Sequence, residues 1–470
     1  MILIMTQIKL YNSLTRTKDA LTKDAHNNAL PIGMYVCGPT VYSRPHIGNA
    51  RSCVIYDVLF RLLRHVYGDD GVNYVRNITD VDDKINKAAI ERGISIQQLT
   101  TEITEQFHHD IDAVGCLRPN IEPKATEHIA EIIAMIERLL KGGYAYISHS
   151  HVLFDITAKG HDGWNYGMLS GRQTEEQEAG ARVAVEAYKR NSGDFVLWKP
   201  SDAQDDISSV FASPWGQGRP GWHIECSAMS TRYLGADFAI HGGGADLKFP
   251  HHENEIAQSC CANIGSHYAH HWVHNGFLTV DGEKMSKSLG NFITVHDLLE
   301  RGVRGEVIRF ALLSSHYAKP LDWNDKLLED CTKQLDKFYR MMKDCQEQNI
   351  AQENEVSPEI TAPEITAPEI IKVLSDDLNL PKAIAVLHSL PAHQLKAAGA
   401  MLGLLQQNPN EWFAVEKKHT LDEIEIAELI AKRAAAKIAK NWAEADNIRN
   451  SLLTQNITLK DNPDGTTSWS

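Results

Sequence analysis

The sequence predicts an α/β protein in which a parallel sheet with an insertion is followed by an all-α helical bundle. Apolar runs at Ile32–Val36 and at residues 72–78 have the length and composition of buried strands. Residues 50–67 between them repeat apolar side chains at helical spacing and end at Gly68. This order of strand, crossover helix and strand indicates a Rossmann-type sheet. Beyond about residue 325 the patterns are helical.

Composition narrows the class of protein. The chain has 470 residues, enough for about two to four domains. No window reaches the ~18 apolar residues that a membrane span needs, and the first five residues are too short for a signal-peptide core. Eight scattered cysteines then predict reduced thiols in a cytoplasmic protein. The net charge of −14 argues against a surface coated by nucleic acid but allows a local basic groove.

The stretch from Cys37 to residue 49 combines a thiol, a turn and a helix start. Pro39 ends the first strand, and Pro45 precedes a helix that opens with His-Ile-Gly-Asn. Gly48 has no Cβ, so a phosphate can approach the helix end, where unpaired N–H groups and the positive end of the dipole are expected. His46 at this end adds a further donor. The alternative is an ordinary strand-to-helix loop with a satisfied histidine.

The second strand also ends in polar residues. Thr79 follows it, and in an open α/β sheet the ligand crevice lies at the carboxyl ends of the strands. Asp80, Asp82 and Asp83 come next. Three carboxylates can hold a cation, although capping of the next helix is the commoner role. Residues 121–215 are predicted to be an insertion in the sheet domain, with strands at 144–156 and 194–198.

Four residues, one of which is Cys37, have the chemistry of zinc ligands. His251 and Glu255 lie four apart on a predicted helix, so their side chains reach the same point. Cys37 and Cys226 offer thiolates near the ends of predicted elements. No Cys-x-x-Cys spacing supports a site, and separate core cysteines beside a surface His/Glu pair remain an equal alternative. His252 and Glu253 are competing ligands.

A Gly-flanked loop contains Lys284-Met-Ser-Lys287-Ser, and such a loop can close two lysines onto a transferring phosphate. It is equally compatible with a solvated basic turn. Residues 355–371 hold Ile-Thr-Ala-Pro-Glu twice and predict a flexible excursion between helices. Residues 432–440 carry four basic side chains, followed by Trp442. That mixture suits an RNA loop, whose bases stack on aromatic rings, or a charged face with Trp442 in a small core.

The ordered motifs resemble a known family. His46-Ile-Gly-Asn and Lys284-Met-Ser-Lys-Ser have the order and separation seen in class I aminoacyl-tRNA synthetases. Within that class, four further motifs are similar to the cysteinyl-tRNA synthetase family over nearly the full chain: Cys37-Gly-Pro-Thr, Asn77-Ile-Thr-Asp, Gly221-Trp-His-Ile-Glu-Cys and Phe249-Pro-His-His-Glu-Asn-Glu.

The resemblance implies site residues at matching positions. Zinc, one per chain, would be held by Cys37, Cys226, His251 and Glu255 and would bind the substrate thiolate. Thr79, Trp222 and His241 would line the cysteine pocket. ATP, bound with Mg²⁺, would contact Thr40, His46, Gly48, Asn49 and Lys287, and catalysis would depend on His46, Asn49, Lys284 and Lys287. The anticodon would be read by Trp442, Asp446 and Asp461, whereas Lys437 stands where an Arg is expected.

The implied reaction is attack of the cysteine carboxylate on ATP, followed by transfer from cysteinyl-adenylate to tRNA(Cys), by a protein expected to be a monomer. The implied domains are a Rossmann domain in two halves (1–120 and 216–268) around a connective insertion (121–215), a loop and stem-contact region (269–330), a helical bundle (331–415) containing the repeat, and an anticodon-binding domain (416–470). Two alternatives are kept open: a cysteine:amino-sugar ligase with the same adenylate chemistry, and an inactive zinc-dependent RNA-binding paralogue.

Overall fold

The structure is a computed structural model that describes residues 7–21, 31–158, 164–171, 186–202, 205–286, 289–353, 368–414, 423–454, 457, 459–462 and 466–469. It divides into two compact units, Met1–Gln406 and Gln407–Ser470. Within the described residues, no helix is both long enough and apolar enough to span a bilayer.

The first unit contains fourteen of the described strands and twelve of the described helices. Its strands are β1 Lys9–Asn12, β2 Thr17–Ala20, β3 Ile32–Val36, β4 Val72–Arg76, β5 Ala145–Ser148, β6 His151–Phe154, β7 Phe195–Pro200, β8 Phe211–Ser213, β9 Gly216–Pro220, β10 Asp237–Gly244, β11 Tyr268–Asn275, β12 Leu278–Val280, β13 Glu283–Lys284 and β14 Leu321–Trp323. Its helices are α1 Ile47–Tyr67, α2 Asp83–Arg92, α3 Ile96–Ala113, α4 Ile129–Lys141, α5 Trp222–Leu234, α6 Glu253–Ala262, α7 Val295–Glu300, α8 Gly305–Leu312, α9 Asp325–Glu353, α10 Pro368–Leu374, α11 Leu380–Ser389 and α12 Ala392–Ala400.

A four-stranded parallel sheet in the order β11-β10-β3-β4 forms the centre of this unit. All five residues of β3 are buried, as expected where helices cover both faces of a parallel sheet. Helix α1 makes the crossover from β3 to β4 and buries its apolar stripe. The predicted Rossmann-type sheet with a helical carboxyl-terminal region is therefore confirmed.

The insertion forms a five-stranded antiparallel sheet in the order β5-β6-β7-β9-β8. The strand predicted at 144–156 is a hairpin, because His149 and Ser150 both adopt positive φ (48° and 63°) and reverse the chain. Trp198 of this sheet belongs to the same buried cluster as Ile136 of α4 and Trp272 of β11. The insertion thus shares a hydrophobic core with the parallel sheet, and it packs on the side where α5 and α6 lie.

The second unit is small. It contains helices α13 Pro409–Phe413, α14 Glu423–Ile438 and α15 Trp442–Thr454, and the antiparallel strands β15 Leu459–Asp461 and β16 Thr467–Trp469. Ile426, Ile448 and Leu452 form its core with residues 457 and 459. Most of the repeat predicted to be flexible lies outside the described residues, which resume at Pro368 with α10.

Candidate active site

The four residues with zinc-ligand chemistry lie together at the carboxyl edge of the parallel sheet. Cys37 directly follows β3, and Cys226 lies on α5. His251 sits in a π-helical turn, Lys248–His252, that leads into α6, which carries Glu255. The ligand atoms of all four lie within 4.8 Å of one another. The sheet topology thus gathers into one cluster side chains from segments that are far apart in sequence.

The separations within this cluster suit a tetrahedral ion. The two sulfurs of Cys37 and Cys226 are 3.8 Å apart, the distance that two Zn–S bonds of ~2.3 Å produce at a tetrahedral angle. Cys37 Sγ is 3.5 Å from both His251 Nε2 and Glu255 Oε1, and those two atoms are 3.0 Å apart. The donor set of two sulfurs, one imidazole and one carboxylate is typical of zinc.

Charge is divided unevenly among these groups. A hydrogen bond from Cys37 lowers the pKa of Cys226 to about 6, while burial raises the pKa of Cys37 well above its usual range. Burial opposes charge on His251, but Glu255 and Cys226 raise its pKa to about 10. Burial alone would raise the pKa of Glu255, yet His241 and His251 hold it well below its ordinary value. The cluster already favours the anionic forms of Cys226 and Glu255, in which they bind metal.

The two competing ligands, His252 and Glu253, lie in different surroundings. His252 Nε2 lies 3.4 Å from Cys37 Sγ, and His252 forms with Cys37, His241 and Glu255 a second set of ligand atoms within 4.8 Å. Glu253 points elsewhere: its carboxylate accepts hydrogen bonds from the backbone N–H groups of residues 167, 169 and 170. His252 therefore stays a competing ligand, whereas the proposal of Glu253 as one is wrong.

The three residues predicted for the cysteine pocket border this cluster. The Trp222 ring stacks on His251 with centroids 4.2 Å apart, and it remains 38% exposed. His241 is fully buried, and its Nε2 lies 2.8 Å from Glu255 Oε2. Thr79 pairs with Thr40 in a parallel β-bridge that brings the ends of the two motif segments side by side. Trp222 shares α5 with Cys226, whereas His241 lies on β10 and Thr79 follows β4, the two strands that pair with β3.

Gly38 explains how tightly these segments approach. A Cβ at this position would lie 1.6 Å from the backbone oxygen of Asn77, so no other residue fits. The Gly38 N–H donates to Asn77 Oδ1 at 2.9 Å, and Asn77 Nδ2 donates to Thr79 Oγ1 at 3.1 Å. This amide therefore fixes Thr79 in relation to Cys37.

The acidic residues after β4 have structural partners. Asp82 is the N-cap of α2 and accepts from the Lys84 N–H. Asp80 accepts from the backbone N–H and the hydroxyl of Thr126, and Asp83 pairs with Lys199 and Arg219. Within the described residues the trio contributes to no group of potential metal ligands. Capping and ion pairing, not cation binding, account for these carboxylates.

The start of α1 differs from the prediction. His46 is the N-cap, and its Nδ1 accepts from the backbone N–H groups of Gly48 (3.0 Å) and Asn49 (3.3 Å). Asn49 Oδ1 in turn accepts from the His46 N–H at 3.1 Å, which completes a capping box. The expectation of unpaired N–H groups here is wrong, because the side chain of His46 itself caps them.

Met285 of the basic loop, and residues that follow the loop, lie against this helix start. The Phe292 ring is 5.3 Å from the His46 ring, and His46 forms a β-bridge with Thr294. A Cβ placed on Gly48 would lie 3.6 Å from Met285 Cε. Lys284 ends β13 and is exposed, whereas Lys287 lies outside the described residues. The segment flanking the loop is thus already docked on the helix that carries His46.

The second unit holds the predicted anticodon residues. Trp442 is 58% exposed, so it does not belong to a small core, and Asp446 is exposed one turn further along α15. Asp461 is engaged within the unit: it accepts from Arg433 at 2.8 and 3.1 Å and from Lys437 at 3.0 Å. These hydrogen bonds hold the pKa of Asp461 below its ordinary value.

Several residues of the site escaped sequence reasoning. Tyr268 Oη lies 2.8 Å from Glu255 Oε2, and His223 Nδ1 lies 2.9 Å from His251 Nδ1. Each contacts the atom of Glu255 or His251 that does not face the cluster, and such a hydrogen bond orients a metal ligand. The only sequence signal for them is their position beside a motif or a predicted strand end, which does not identify a partner.

Comparisons with known proteins now define the class. Residues 23–333 match the family described as tRNA synthetases class I (C) catalytic domain. Among solved structures, the chain is similar to Mycobacterium tuberculosis methionyl-tRNA synthetase (TM-score 0.53, 16% identity, 85% of this chain and 87% of that one). It is also similar to an Agrobacterium radiobacter leucyl-tRNA synthetase (TM-score 0.54, 11% identity, 83% and 85%). These structural likenesses show the fold alone. The match to the catalytic domain shows a class I aminoacyl-tRNA synthetase.

Curated relatives specify the family. The protein named cysteine–tRNA ligase from Rickettsia rickettsii (strain Sheila Smith) is 49% identical over 478 residues, which cover 98% of this chain and 99% of the relative. The protein of the same name from Wolbachia pipientis wMel is 49% identical over 479 residues, covering 98% and 100%. The chain belongs to the cysteine–tRNA ligase family.

Proposed function

We propose that this chain ligates L-cysteine to tRNA(Cys) in two steps, first forming cysteinyl-adenylate from cysteine and ATP and then transferring cysteine to the terminal adenosine of the tRNA. The observation that carries this proposal is the cluster of two thiols, an imidazole and a carboxylate at the carboxyl edge of the parallel sheet, in a chain of the cysteine–tRNA ligase family. The place of action we expect is the cytoplasm.

The metal we assign to the cluster is zinc, with Cys37, Cys226, His251 and Glu255 as ligands. Support comes from the 3.8 Å separation of the two sulfurs and from the complete burial of Glu255, a carboxylate that needs positive partners. Bound there, Zn²⁺ stabilises a thiolate far better than a hydroxyl, which is the chemistry that separates cysteine from serine.

The chain's own residues then shape the pocket. Trp222 covers His251 and leaves part of its ring toward solvent, so it can close over a small substrate. Thr79, held by Asn77, offers a polar side chain beside Cys37. His241 is oriented by Glu255 and packs flat on Trp272, with centroids 4.5 Å apart. A pocket of this kind positions the amino acid without contributing a nucleophile.

ATP is proposed to bind at the start of α1. His46, Gly48 and Asn49 would face its phosphates, and Thr40 would contact it from the neighbouring strand end. Lys284 and Lys287 would stabilise the charge that develops as the cysteine carboxylate attacks the α-phosphorus and pyrophosphate leaves. The docked segment beside His46 supports this arrangement, because it keeps the loop within reach of the phosphates.

The tRNA is proposed to meet the second unit through exposed Trp442 and Asp446. An exposed indole provides a stacking surface for an unpaired base, and the neighbouring carboxylate accepts hydrogen bonds from base amino groups. Asp461 would join them once its hydrogen bonds to Arg433 and Lys437 rearrange. We propose that the chain acts as a monomer.

The test is cysteine-dependent ATP–pyrophosphate exchange by metal-assayed protein, followed by transfer of labelled cysteine to bulk tRNA. We expect cysteine-dependent exchange followed by transfer to tRNA, one zinc per chain, and no exchange with serine. Exchange without transfer would favour the amino-sugar ligase, and absence of exchange would leave the inactive RNA-binding paralogue.

A pair of cysteine variants separates the metal from general thiol loss. Cys226→Ser removes a proposed ligand and is expected to lose zinc together with the preference for cysteine over serine. Cys331→Ser changes a buried thiol on α9, away from the cluster, and is expected to retain both. The zinc assignment fails if Cys226→Ser keeps its metal and still rejects serine.

A further inference from the structure

A second group of metal-ligating side chains lies at the other edge of the parallel sheet. It consists of Asp237, His267 and His270, here called the surface triad, whose ligand atoms lie within 4.8 Å of one another. Asp237 begins β10, and the two histidines flank the beginning of β11. The proposed active site lies at the carboxyl ends of these strands, so the triad is separate from it.

The distances within the triad fit an ion better than direct contacts. Asp237 Oδ1 is 3.7 Å from His267 Nδ1 and 3.7 Å from His270 Nε2. Both separations are too long for good hydrogen bonds. They are close to the ~3.4 Å that separates two ligands bound at ~2.1 Å around a tetrahedral ion. A metal ion between the three groups would therefore need only a small adjustment.

The backbone holds this geometry in place. Residues three apart in a regular strand face opposite sides of the sheet, which would part His267 from His270. Tyr268 breaks the alternation with a φ of 66°, a conformation that is rare for a bulky residue. Its fully buried ring is anchored by Ser230 Oγ at 2.9 Å and by Glu255. The fold therefore keeps this strained residue in place, and with it the pairing of the two histidines.

The carboxylate is also held before any ion arrives. The His267 backbone N–H donates to Asp237 Oδ1 at 2.7 Å, an interaction of the kind that orients ligands in metal sites. The side chain of His267 is 79% exposed, that of Asp237 42% and that of His270 25%. All three can thus be reached from solvent, in contrast to the buried cysteine-containing cluster.

We infer that the surface triad binds one divalent transition-metal ion of the zinc type, with two imidazoles and one carboxylate as protein ligands and water completing the coordination. Imidazole nitrogen favours zinc over the hard cations Mg²⁺ and Ca²⁺, which prefer all-oxygen sites. The ion would join the amino ends of β10 and β11, so binding should also raise the temperature at which the chain unfolds.

Calorimetric titration of Zn²⁺ into full-length protein that retains its tightly held metal tests this inference. One additional equivalent per chain is expected. His267→Ala and His270→Ala should each weaken it at least tenfold, since even the loss of a partner that only orients a ligand costs that much. His393→Ala, which removes an exposed histidine on α12, is the matched control and should leave it unchanged.

Cobalt(II) added to metal-free protein distinguishes this site from the proposed catalytic one. Cysteine ligands give an intense sulfur-to-cobalt charge-transfer absorption, whereas the triad has no sulfur and contributes none. A second cobalt equivalent without that absorption, lost in His267→Ala, supports the triad. The inference is overturned if the native chain takes up no such equivalent, or if His267→Ala and His270→Ala bind it with native affinity, whatever happens at the cysteine site.

Discussion

Arg51 allows a stability prediction that links the helix start to the basic loop. This side chain lies two residues after Asn49 on α1 and is fully buried. Its guanidinium donates to the backbone oxygens of Gly276 (2.8 Å), Phe277 (2.7 Å) and Lys319 (2.7 Å). Gly276 and Phe277 connect β11 to β12, just before the loop that contains Lys284. The Arg51 side chain therefore links α1 to the segment that leads into this loop.

The expected cost of removing Arg51 follows from these contacts. Hydrogen bonds from charged groups contribute about 1.5 to 3 kcal/mol each, so three short ones contribute about 4 to 5 kcal/mol at the low end of that range. The low end applies because burial lowers the pKa of Arg51 to about 10, which shows that keeping the guanidinium charged there is itself costly. Arg51→Met should lower the free energy of unfolding by about 4 kcal/mol, and Arg51→Lys by about half as much.

Urea unfolding of the full chain, followed by tryptophan fluorescence, measures this loss. Arg64→Met is the matched control on the same helix, because Arg64 pairs at 2.8 Å with an exposed Asp69. Such surface pairs contribute only about 0 to 1 kcal/mol. Arg51→Met should also slow pyrophosphate exchange, since the approach to the loop loses its anchor. A loss in Arg51→Met no larger than that in Arg64→Met would refute the reasoning.

Three further predictions concern other parts of the chain. Gly48→Ala would put a Cβ 2.8 Å from the His46 ring. We therefore expect kcat/KM for ATP in pyrophosphate exchange to fall at least about tenfold, which corresponds to a loss of ~1.4 kcal/mol. An unchanged value would argue against phosphate binding at this helix start. Burial would raise the pKa of Glu122, but the hydrogen bond from His108 and a nearby guanidinium hold this pKa below its ordinary value. The Glu122 carboxylate therefore stabilises the fold above about pH 4.5, and this contribution is lost as the pH falls through the pKa of the folded state. The difference in unfolding free energy between native chain and Glu122→Gln, measured from pH 6 to pH 3, should therefore shrink toward low pH, and a constant difference would contradict this. Trp442→Ala should weaken tRNA binding about tenfold in a filter-binding assay while leaving pyrophosphate exchange intact, whereas loss of exchange would point to a structural role instead.

Periodicity and strand-end chemistry predicted the sheet and the elements around it. β3, α1 and β4 follow from apolar runs, a helical repeat and Gly68, because local sequence decides such elements. The rule that ligands gather at carboxyl ends of parallel strands placed Cys37 and Thr79 at one edge, and the structure has them there. These inferences need only the order of elements along the chain.

Contacts between distant side chains could not be predicted in the same way. The sequence does not show that Tyr268 reaches Glu255 or that Tyr268 adopts a positive φ, because neither leaves a mark in the local pattern. It does not show that Arg433 and Lys437 engage Asp461, since the pairing depends on how α14 meets β15. Side-chain partners depend on three-dimensional packing, for which a one-dimensional pattern has no signal.

The capping box at His46 has a consequence for the resting protein. For ATP to bind as proposed, its phosphate oxygens must replace His46 Nδ1, which accepts from the Gly48 N–H and shares the Asn49 N–H with the His46 backbone oxygen. The exchange is one acceptor for another, so its cost is at most that of an N-cap, about 1 kcal/mol. On this proposal the imidazole would return to the helix end between turnovers, and the N–H groups there would always have an acceptor. The proposed binding site for a highly charged ligand is therefore, when empty, an ordinary and stable helix terminus.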